Sequence, residues 1–166
     1  MTTAATQPTV VGLGEIAVSK QAGDTLVSLG IGSCVCVAAF DRISGVAGMA
    51  HIVLPDSGGQ EQRQTPKFAD FALPALFEQM EKLGAKQLTT VIKLAGGAQM
   101  MPVKAPNADQ MNIGQRNIDS VRALLQASGR KVQAEDLGGT QGRTVRLKVD
   151  GGGVTVSRAG KDQQDL

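Results

Sequence analysis

The chain has 166 residues, of which 17 are Lys or Arg and 15 are Asp or Glu, giving a formal net charge of +2 at neutral pH. This small and dispersed charge, with only 2% aromatic residues, argues against nucleic-acid binding, which needs a basic surface and rings on which bases stack. A hydrophobic content of 42% is ordinary for a globular protein. We therefore expect one domain over residues 1–166, with flexible tails at about 1–8 and 160–166.

The cellular compartment is predicted from what the sequence lacks. Its first residues do not have the basic and apolar regions of a signal peptide. It also has no apolar run near the roughly 20 residues that cross a bilayer, so direct membrane insertion is not expected. The two cysteines, Cys34 and Cys36, are too close along one strand for a mutual disulfide. Together these features predict a cytoplasmic protein.

The first part of the chain predicts β-strands. Runs of apolar and β-branched residues indicate strands over 10–18, 24–29, 35–40 and 49–54. Between the last two runs, residues 41–45 contain Asp, Ser and Gly, which are typical of turns. We therefore predict a hairpin there, followed by a polar surface loop over 56–65.

Two helices are predicted in the second part. Thr65 and Pro66 are expected as N-cap and first residue of one helix, which ends before Gly84 and which Pro74 should kink or split. The other should begin near Asn112, after a loop over 100–112, and end before Gly129.

Four further strands complete the predicted fold, over 88–94, 131–137, 143–149 and 154–158. Glycine-rich segments at 138–142 and 150–153 are predicted to connect the last three as hairpin turns. The predicted class is α+β, a two-layer α/β sandwich with a mostly antiparallel, hairpin-connected sheet and two main helices.

The hairpin suggests a chemical site, because it carries both cysteines and the only histidine. If Phe40 pairs with Gly45 across a four-residue turn, Cys34 faces His51 across the ladder, whereas Cys36 has no imidazole opposite it. A thiol opposite an imidazole is a candidate nucleophile and base. A bulge or another turn would shift the register by one residue and place the two side chains on opposite faces.

The residues before Cys34 fit the same interpretation. Gly30 and Gly32 allow irregular backbone, and amide N–H groups freed there could donate to an oxyanion. The alternatives are a buried structural cysteine, a metal site of Cys34, Cys36 and His51, and a phosphate loop. The metal site is disfavoured because there is no second histidine, and the phosphate loop because no helix and no third glycine follow.

Several motifs resemble one known family. The segments SLGIGSCVCV and GVAGMAHIVLPDS, followed by TPKFADFALPALFEQM, LAGGAQM, NIGQRNI and DLGGTQGR, resemble the chemoreceptor glutamine deamidases of bacterial chemotaxis, the CheD family. The resemblance extends over roughly residues 10–156. It implies an α/β sandwich that converts selected receptor glutamines to glutamate and needs no metal or organic cofactor.

The resemblance also implies roles for particular residues and partners. The family's catalytic cysteine falls on Cys34, its histidine on His51, and its threonine on the position of Ser28, where the hydroxyl is kept and the methyl group is lost. The implied partners are the cytoplasmic helical domains of chemoreceptors and a CheC-type phosphatase. A non-enzymatic adaptor that binds and regulates such a phosphatase is the alternative function. For the deamidase we expect Cys34 and His51 within hydrogen-bond reach, at the rim of a surface groove.

Overall fold

The computed structural model describes residues 6–101 and 104–166. The helices in these ranges are α1 (Ala69–Lys82), the short α2 (Ala108–Met111) and α3 (Ile113–Ala127). The strands are β1 (Thr9–Val10), β2 (Ile16–Ser19), β3 (Thr25–Ile31), β4 (Val35–Asp41), β5 (Ala47–Ile52), β6 (Thr90–Gly96), β7 (Val132–Leu137), β8 (Arg143–Lys148), β9 (Val154–Ser157) and β10 (Gln164–Asp165). None of the helices in the described ranges is long and apolar enough to span a membrane.

The strands form two sheets of five strands each. Sheet A has the order β1-β3-β8-β9-β10 and sheet B the order β2-β5-β4-β6-β7. All pairings are antiparallel except β1 with β3 and β6 with β7. The predicted α+β sandwich with two main helices and mostly antiparallel pairing is confirmed, and the division of the strands between two sheets adds a further layer.

Strand β4 lies at the centre of sheet B and contributes to two apolar cores. Val35, Val37 and Ala39 belong to the core that sheet B forms with α1 and α3. Cys36 and Ala38 belong to the core between the two sheets. Because neither face of β4 meets water, the strand is a continuous apolar run rather than an alternating one.

The hairpin of β4 and β5 is present, but its predicted register is wrong. Phe40 pairs with Ala47 rather than with Gly45, and Cys36 rather than Cys34 lies opposite His51. Asp41, which was expected in the turn, is the last residue of β4. The register therefore differs by two residues, which changes the partners of each residue but keeps every side chain on its predicted face.

The side chain of Asp41 accounts for this register. The backbone N–H of Asp41 donates to the carbonyl of Val46 at 2.8 Å. Its carboxylate accepts hydrogen bonds from the N–H of Ile43 at 3.0 Å, from Ser44 Oγ at 2.8 Å and from the N–H of Lys86 at 2.9 Å. The four-residue turn is consequently 42–45, because the buried carboxylate organises the residues that follow it.

The first helix begins later than predicted. Thr65 is not its N-cap; α1 begins at Ala69 with Phe68 as N-cap. The N–H of Ala69 donates to the carbonyl of Leu54 at 3.0 Å, and Phe68 bridges Leu54 in a strand-like pairing, which keeps the chain extended up to that point. Pro74 lies within α1 without splitting it.

Four other features differ from expectation. The predicted strand 10–18 is divided into β1 and β2, which lie in different sheets. Segment 138–142 is not a hairpin turn, because it passes from β7 in sheet B to β8 in sheet A. The C-terminal segment, expected as part of a flexible tail, contains β10, which pairs with β9. Part of the predicted loop 100–112, residues 102–103, lies outside the described residues, and α2 occupies its end.

The other predicted elements are confirmed within a few residues. Gly84 follows α1 with φ of 107°, which suits the glycine expected beyond a helix end. Asn112 caps α3, its side chain accepting a hydrogen bond from the N–H of Gln115 at 3.0 Å. The hairpin between β8 and β9 is present as well.

Candidate functional site

Cys34 lies at the end of a short irregular segment, Gly32 to Cys34, between β3 in sheet A and β4 in sheet B. Three donors hold its three successive carbonyl groups. The N–H of Ala98 donates to the Gly32 carbonyl at 2.9 Å, Asn117 Nδ2 to the Ser33 carbonyl at 2.9 Å, and the N–H of Gly97 to the Cys34 carbonyl at 2.7 Å. We refer to Gly32–Cys34, which ends in the candidate nucleophile, as the nucleophile loop. Its backbone is fixed by groups distant in sequence.

Glycines allow these donors to come close. A Cβ at Gly96, whose φ is 122°, would lie only 2.2 Å from the Cys34 carbonyl oxygen. A Cβ at Gly114, in the first turn of α3, would lie 2.5 Å from the Ala98 carbonyl oxygen. These contacts explain physically why glycines recur in the segments LAGGAQM and NIGQRNI.

His51 is buried in β5, on the face that looks toward sheet A. Its Nδ1 lies 3.2 Å from the Val11 carbonyl oxygen. Because a carbonyl can only accept, this contact places the proton on Nδ1 and leaves Nε2 as the basic nitrogen. Among the described residues Nε2 has no hydrogen-bond partner. It is therefore free to accept a proton.

The environment of His51 keeps the ring neutral. Burial lowers the pKa of the imidazole, and the hydrogen bond to Val11 and the charge of Glu15 oppose this effect without reversing it. A neutral ring at neutral pH is the form that a general base requires.

Ser28 lies in β3 and is fully buried. Its Oγ is 3.0 Å from the Val11 carbonyl oxygen and 3.3 Å from Met49 Sδ. Ser28 and His51 therefore meet at the same carbonyl group, rather than through a hydrogen bond between the two side chains. Ser28 also interacts with the thiol of Cys36.

The two thiols differ in their surroundings. Burial raises the pKa of the Cys36 thiol to about 12, with Ser28 partly opposing it. Burial also raises the pKa of Cys34, but the N–H of Cys34 itself opposes the shift. In the resting protein the candidate nucleophile and base are consequently a thiol and a neutral imidazole, rather than a thiolate beside an imidazolium.

Cys34 and His51 lie on the same side of sheet B. Cys34 packs in the core between the sheets with Cys36 and Met49. Val35 pairs with Ile52. Cys34, the residue before Val35, therefore lies diagonally rather than directly across from His51, and aromatic and long side chains can contact each other over such a diagonal. A hydrogen bond between the Cys34 sulfur and His51 is not formed in this structure, because Nε2 has no partner among the described residues and Nδ1 lies against the Val11 carbonyl. That the two side chains lie slightly beyond hydrogen-bond distance stays a prediction.

A surface pocket adjoins the nucleophile loop. It has a volume of about 350 Å³ and is lined by Ser33, Ala98, Gln99, Met100, Met101, Met111, Asn112, Ile113 and Gly114. Cys34 itself is only 8% exposed, which is less than the predicted rim position implies. The pocket nevertheless places an opening directly beside Ser33, the residue that precedes Cys34.

Sequence reasoning missed Asn117. This residue is fully buried in α3, on a face whose other members include Ile118 and Val121. A polar residue on the apolar face of a helix was the available signal, since buried amides need partners.

Arg143 was missed as well. The residue is 2% exposed, and its guanidinium binds Asp136 together with the carbonyls of Gly138 and Gln141. This arrangement folds segment 138–142, whose Gly139 carbonyl accepts a hydrogen bond from the N–H of Gln99 at 2.9 Å. Arg143 therefore supports one wall of the site.

Within residues 6–101 and 104–166, no three His, Cys, Asp or Glu side chains are grouped as ligands for a metal ion. The polar groups of the candidate site are a thiol, an imidazole, a hydroxyl and backbone amides. This set is suited to acyl transfer through a covalent intermediate.

Comparison with known proteins agrees with the motifs. A family model described as CheD chemotactic sensory transduction matches residues 53–158. Chemoreceptor glutamine deamidase CheD of Thermotoga maritima is 42% identical over 155 residues, 93% of this chain and 94% of that protein. The protein of the same name from Halalkalibacterium halodurans is 39% identical over 144 residues, 86% of this chain and 88% of that protein. A probable chemoreceptor glutamine deamidase CheD of Archaeoglobus fulgidus is 40% identical over 154 residues, 92% of this chain and 95% of that protein. The chain therefore belongs to the CheD family.

Proposed function

We propose that this protein converts glutamine side chains of chemoreceptors to glutamate, with release of ammonia, through a thioester on Cys34. The observation that carries the proposal is the arrangement of the nucleophile loop. Three separate donors fix its carbonyl groups, and the neighbouring strand presents a neutral imidazole with a free Nε2. The names of the relatives, which describe chemoreceptor glutamine deamidases, support the choice of substrate.

The first half of the reaction forms the thioester. The sulfur of Cys34 attacks the carboxamide carbon while Nε2 of His51 takes the thiol proton. In the described part of the chain, the N–H groups of Ser33 and Cys34 donate none of the backbone hydrogen bonds found in turns and loops. They are therefore available to donate to the oxyanion. As the tetrahedral intermediate collapses, His51 returns the proton to the leaving nitrogen, which departs as ammonia.

The second half releases the product. Nε2 of His51 takes a proton from water, and the resulting hydroxide attacks the thioester carbon. Collapse of this intermediate breaks the carbon–sulfur bond, and His51 returns the proton to the sulfur of Cys34. The net change is one amide and one water converted to one carboxylic acid and one ammonia, so this route uses only the side chains and amides of the site.

Ser28 has an indirect role in this proposal. Its hydroxyl donates to the Val11 carbonyl, which is also the acceptor for Nδ1 of His51. By fixing that carbonyl group, Ser28 holds the acceptor that sets the orientation and the tautomer of the ring. This is the orienting part of a triad, performed through a backbone group.

The proposed substrate is a helical cytoplasmic domain of a chemoreceptor, which the protein would meet in the cytoplasm. The pocket beside Ser33 offers an entry for a glutamine side chain, and exposed Met100, Met101 and Met111 form an adaptable apolar surface around it. A flexible methionine surface suits a partner whose helices present several related sites.

The test is to incubate a receptor cytoplasmic fragment with the protein and follow glutamine conversion by mass spectrometry. Cys34→Ala and His51→Ala should each abolish conversion while the chain stays folded by circular dichroism. Cys36→Ala is the matched control: its thiol is held protonated by a pKa near 12, so we expect a much smaller effect. Cys34→Ala activity within about tenfold of wild type would refute the mechanism, because loss of a covalent nucleophile costs far more.

The same variants separate the deamidase from the alternative adaptor function. If the protein acted by binding a CheC-type phosphatase, Cys34→Ala would keep phosphatase binding and regulation. A Cys34→Ala protein that loses turnover and retains such binding would show that both functions reside in this fold. A wild-type protein that binds the phosphatase and converts no receptor glutamine would favour the adaptor alone.

A further inference from the structure

The side chain of Asn117 contacts two parts of the proposed site that are far apart in sequence. Its Nδ2 donates to the Ser33 carbonyl and to the Val53 carbonyl, both at 2.9 Å. Ser33 precedes Cys34 in the nucleophile loop, and Val53 follows β5, the strand that carries His51. One amide group therefore joins the loop of the nucleophile to the strand of the base.

The cost of burying Asn117 shows that packing alone does not explain this residue. The residue is 0% exposed, and its Oδ1 has no partner within the described residues. An unpaired buried acceptor is destabilising, and an apolar side chain would avoid that cost on this face of α3. The two donated hydrogen bonds are the feature that an apolar residue would lack.

The geometry of the peptide bond links these contacts to the reaction. In a trans peptide the C=O of one residue and the N–H of the next point in opposite directions. Holding the Ser33 carbonyl toward Asn117 therefore turns the N–H of Cys34 away from α3. Burial raises the pKa of the Cys34 thiol and this N–H opposes the rise, so the N–H acts on the ionisation of the atom that attacks the substrate.

We infer that Asn117 is a positioning residue of this site, which aims the Cys34 N–H at the developing oxyanion and fixes the nucleophile loop to the strand of His51. The inference rests on the proposed deamidation by Cys34. Asn117 does not touch the reacting atoms; it acts through the Ser33 and Val53 carbonyls. Its contribution should therefore appear in the rate of the chemical step and in the ionisation of the thiol, rather than in substrate binding.

The experiment compares Asn117→Asp with Val121→Ala. Asn117→Asp keeps the size of the side chain and replaces the donating NH2 group by an oxygen, so both donated hydrogen bonds are lost in the carboxylate and at most one survives in the protonated acid. Val121 lies one turn further along α3 and is equally buried, in the core between the helices and sheet B, so Val121→Ala weakens the same helix without touching the loop. Asn117→Ser, which retains one hydroxyl donor, serves as a milder variant if Asn117→Asp does not fold.

Three experiments are carried out on each variant. These are urea unfolding, kcat and KM for a receptor fragment, and the pH dependence of iodoacetamide alkylation of Cys34, located by peptide mass spectrometry. For Asn117→Asp we expect kcat about 100-fold lower, the loss that a misplacement of about 1 Å can cause. KM should change little, and the alkylation midpoint should move to higher pH because the thiolate loses its aligned N–H. Val121→Ala should unfold at lower urea but keep kcat and the alkylation midpoint.

Two results would overturn the inference. One is a kcat of Asn117→Asp within about threefold of wild type, which would mean that the hydrogen bonds have no effect on the chemical step. The other is an equal loss in Val121→Ala, which would assign the effect to helix stability. Cys34→Ala in the same assay separates the two proposals, since its retained activity would refute deamidation by Cys34. The alkylation profile tests the action of Asn117 on the thiol without any substrate.

Discussion

Replacement of Gly96 by alanine should damage the site as well as the fold. Gly96 has φ of 122°, and its new Cβ would lie 2.2 Å from the Cys34 carbonyl oxygen, whereas ordinary van der Waals contact begins near 3.4 Å. The nucleophile loop must therefore move by about 1 Å to relieve the overlap. The left-handed backbone costs about 1–2 kcal/mol and the overlap about 1–3 kcal/mol, for a total of about 2–5 kcal/mol of unfolding free energy.

The catalytic effect follows from the same displacement. A shift of about 1 Å at a reacting group can lower the rate about 100-fold, so we expect kcat/KM for receptor glutamine conversion to fall by about that factor. The assay is mass spectrometry of a receptor fragment over time, at a temperature where urea unfolding shows the variant to be folded.

Gly84→Ala is the matched control for this prediction. Gly84 also has a positive φ, 107°, but a Cβ there meets nothing within 4 Å, and the residue follows α1. Gly84→Ala should lose about 1–2 kcal/mol of stability from backbone strain alone and keep its kcat/KM. If Gly96→Ala and Gly84→Ala lose activity equally, or if folded Gly96→Ala retains full activity, the role assigned to the fixed loop is wrong.

Three further predictions concern single side chains. Ser28→Ala should lower kcat by much more than it lowers the unfolding free energy, because the Val11 carbonyl loses a donor. Ser28→Thr should retain or raise activity. Wild-type turnover in Ser28→Ala would mean that the serine has only a structural role. Burial opposes ionisation of Asp41, but hydrogen bonds, among them one from the N–H of Lys86, outweigh it and lower the pKa of its carboxyl to about 2. Asp41→Asn should therefore lower the unfolding free energy by about 2 kcal/mol at pH 7, measured by urea titration. The decrease in unfolding free energy that the wild type shows below pH 3.8 should become smaller in this variant, and an unchanged decrease would contradict this. Since burial depresses the pKa of His51, its contribution to stability is present above pH 6.5 and declines as the pH falls below that value, toward the pKa of the folded state. His51→Gln should remove this decline of the unfolding free energy with falling pH in urea titrations, and a decline of unchanged size would mean that other groups cause it.

Local chemistry made much of the fold predictable from the sequence. Gly84 and Asn112 marked a helix end and a helix start, because a positive φ and a free N–H group are requirements that a few neighbouring residues can satisfy. The apolar runs of β4 and β5 identified a hairpin for the same reason. The resemblance of several motifs to the CheD family singled out Cys34, His51 and Ser28 as candidates, whereas the hairpin register that also led to Cys34 was wrong.

Only the tertiary structure decided how these parts meet. The register that puts Cys36 opposite His51 depends on Asp41, whose carboxylate is held by Lys86 from a distant part of the chain. Likewise, α1 starts at Ala69 because the residues before it pair with the end of the hairpin rather than continue the helix. Contacts between segments far apart in sequence outweighed local turn and cap preferences in both cases.

The difference between what the sequence predicts and what tertiary contacts decide is clearest at the candidate site. The sequence singled out the candidate reactive groups by residue type, since a thiol and an imidazole are groups that serve as nucleophile and base. It did not reveal that Asn117 binds the Ser33 carbonyl, or that Ser28 and His51 share the carbonyl of Val11. These are hydrogen bonds to backbone carbonyls. Because every residue has a backbone carbonyl, residue type does not indicate which one is the acceptor. Packing of two sheets and a helix around the nucleophile loop selected these partners, because each donor buried there required one.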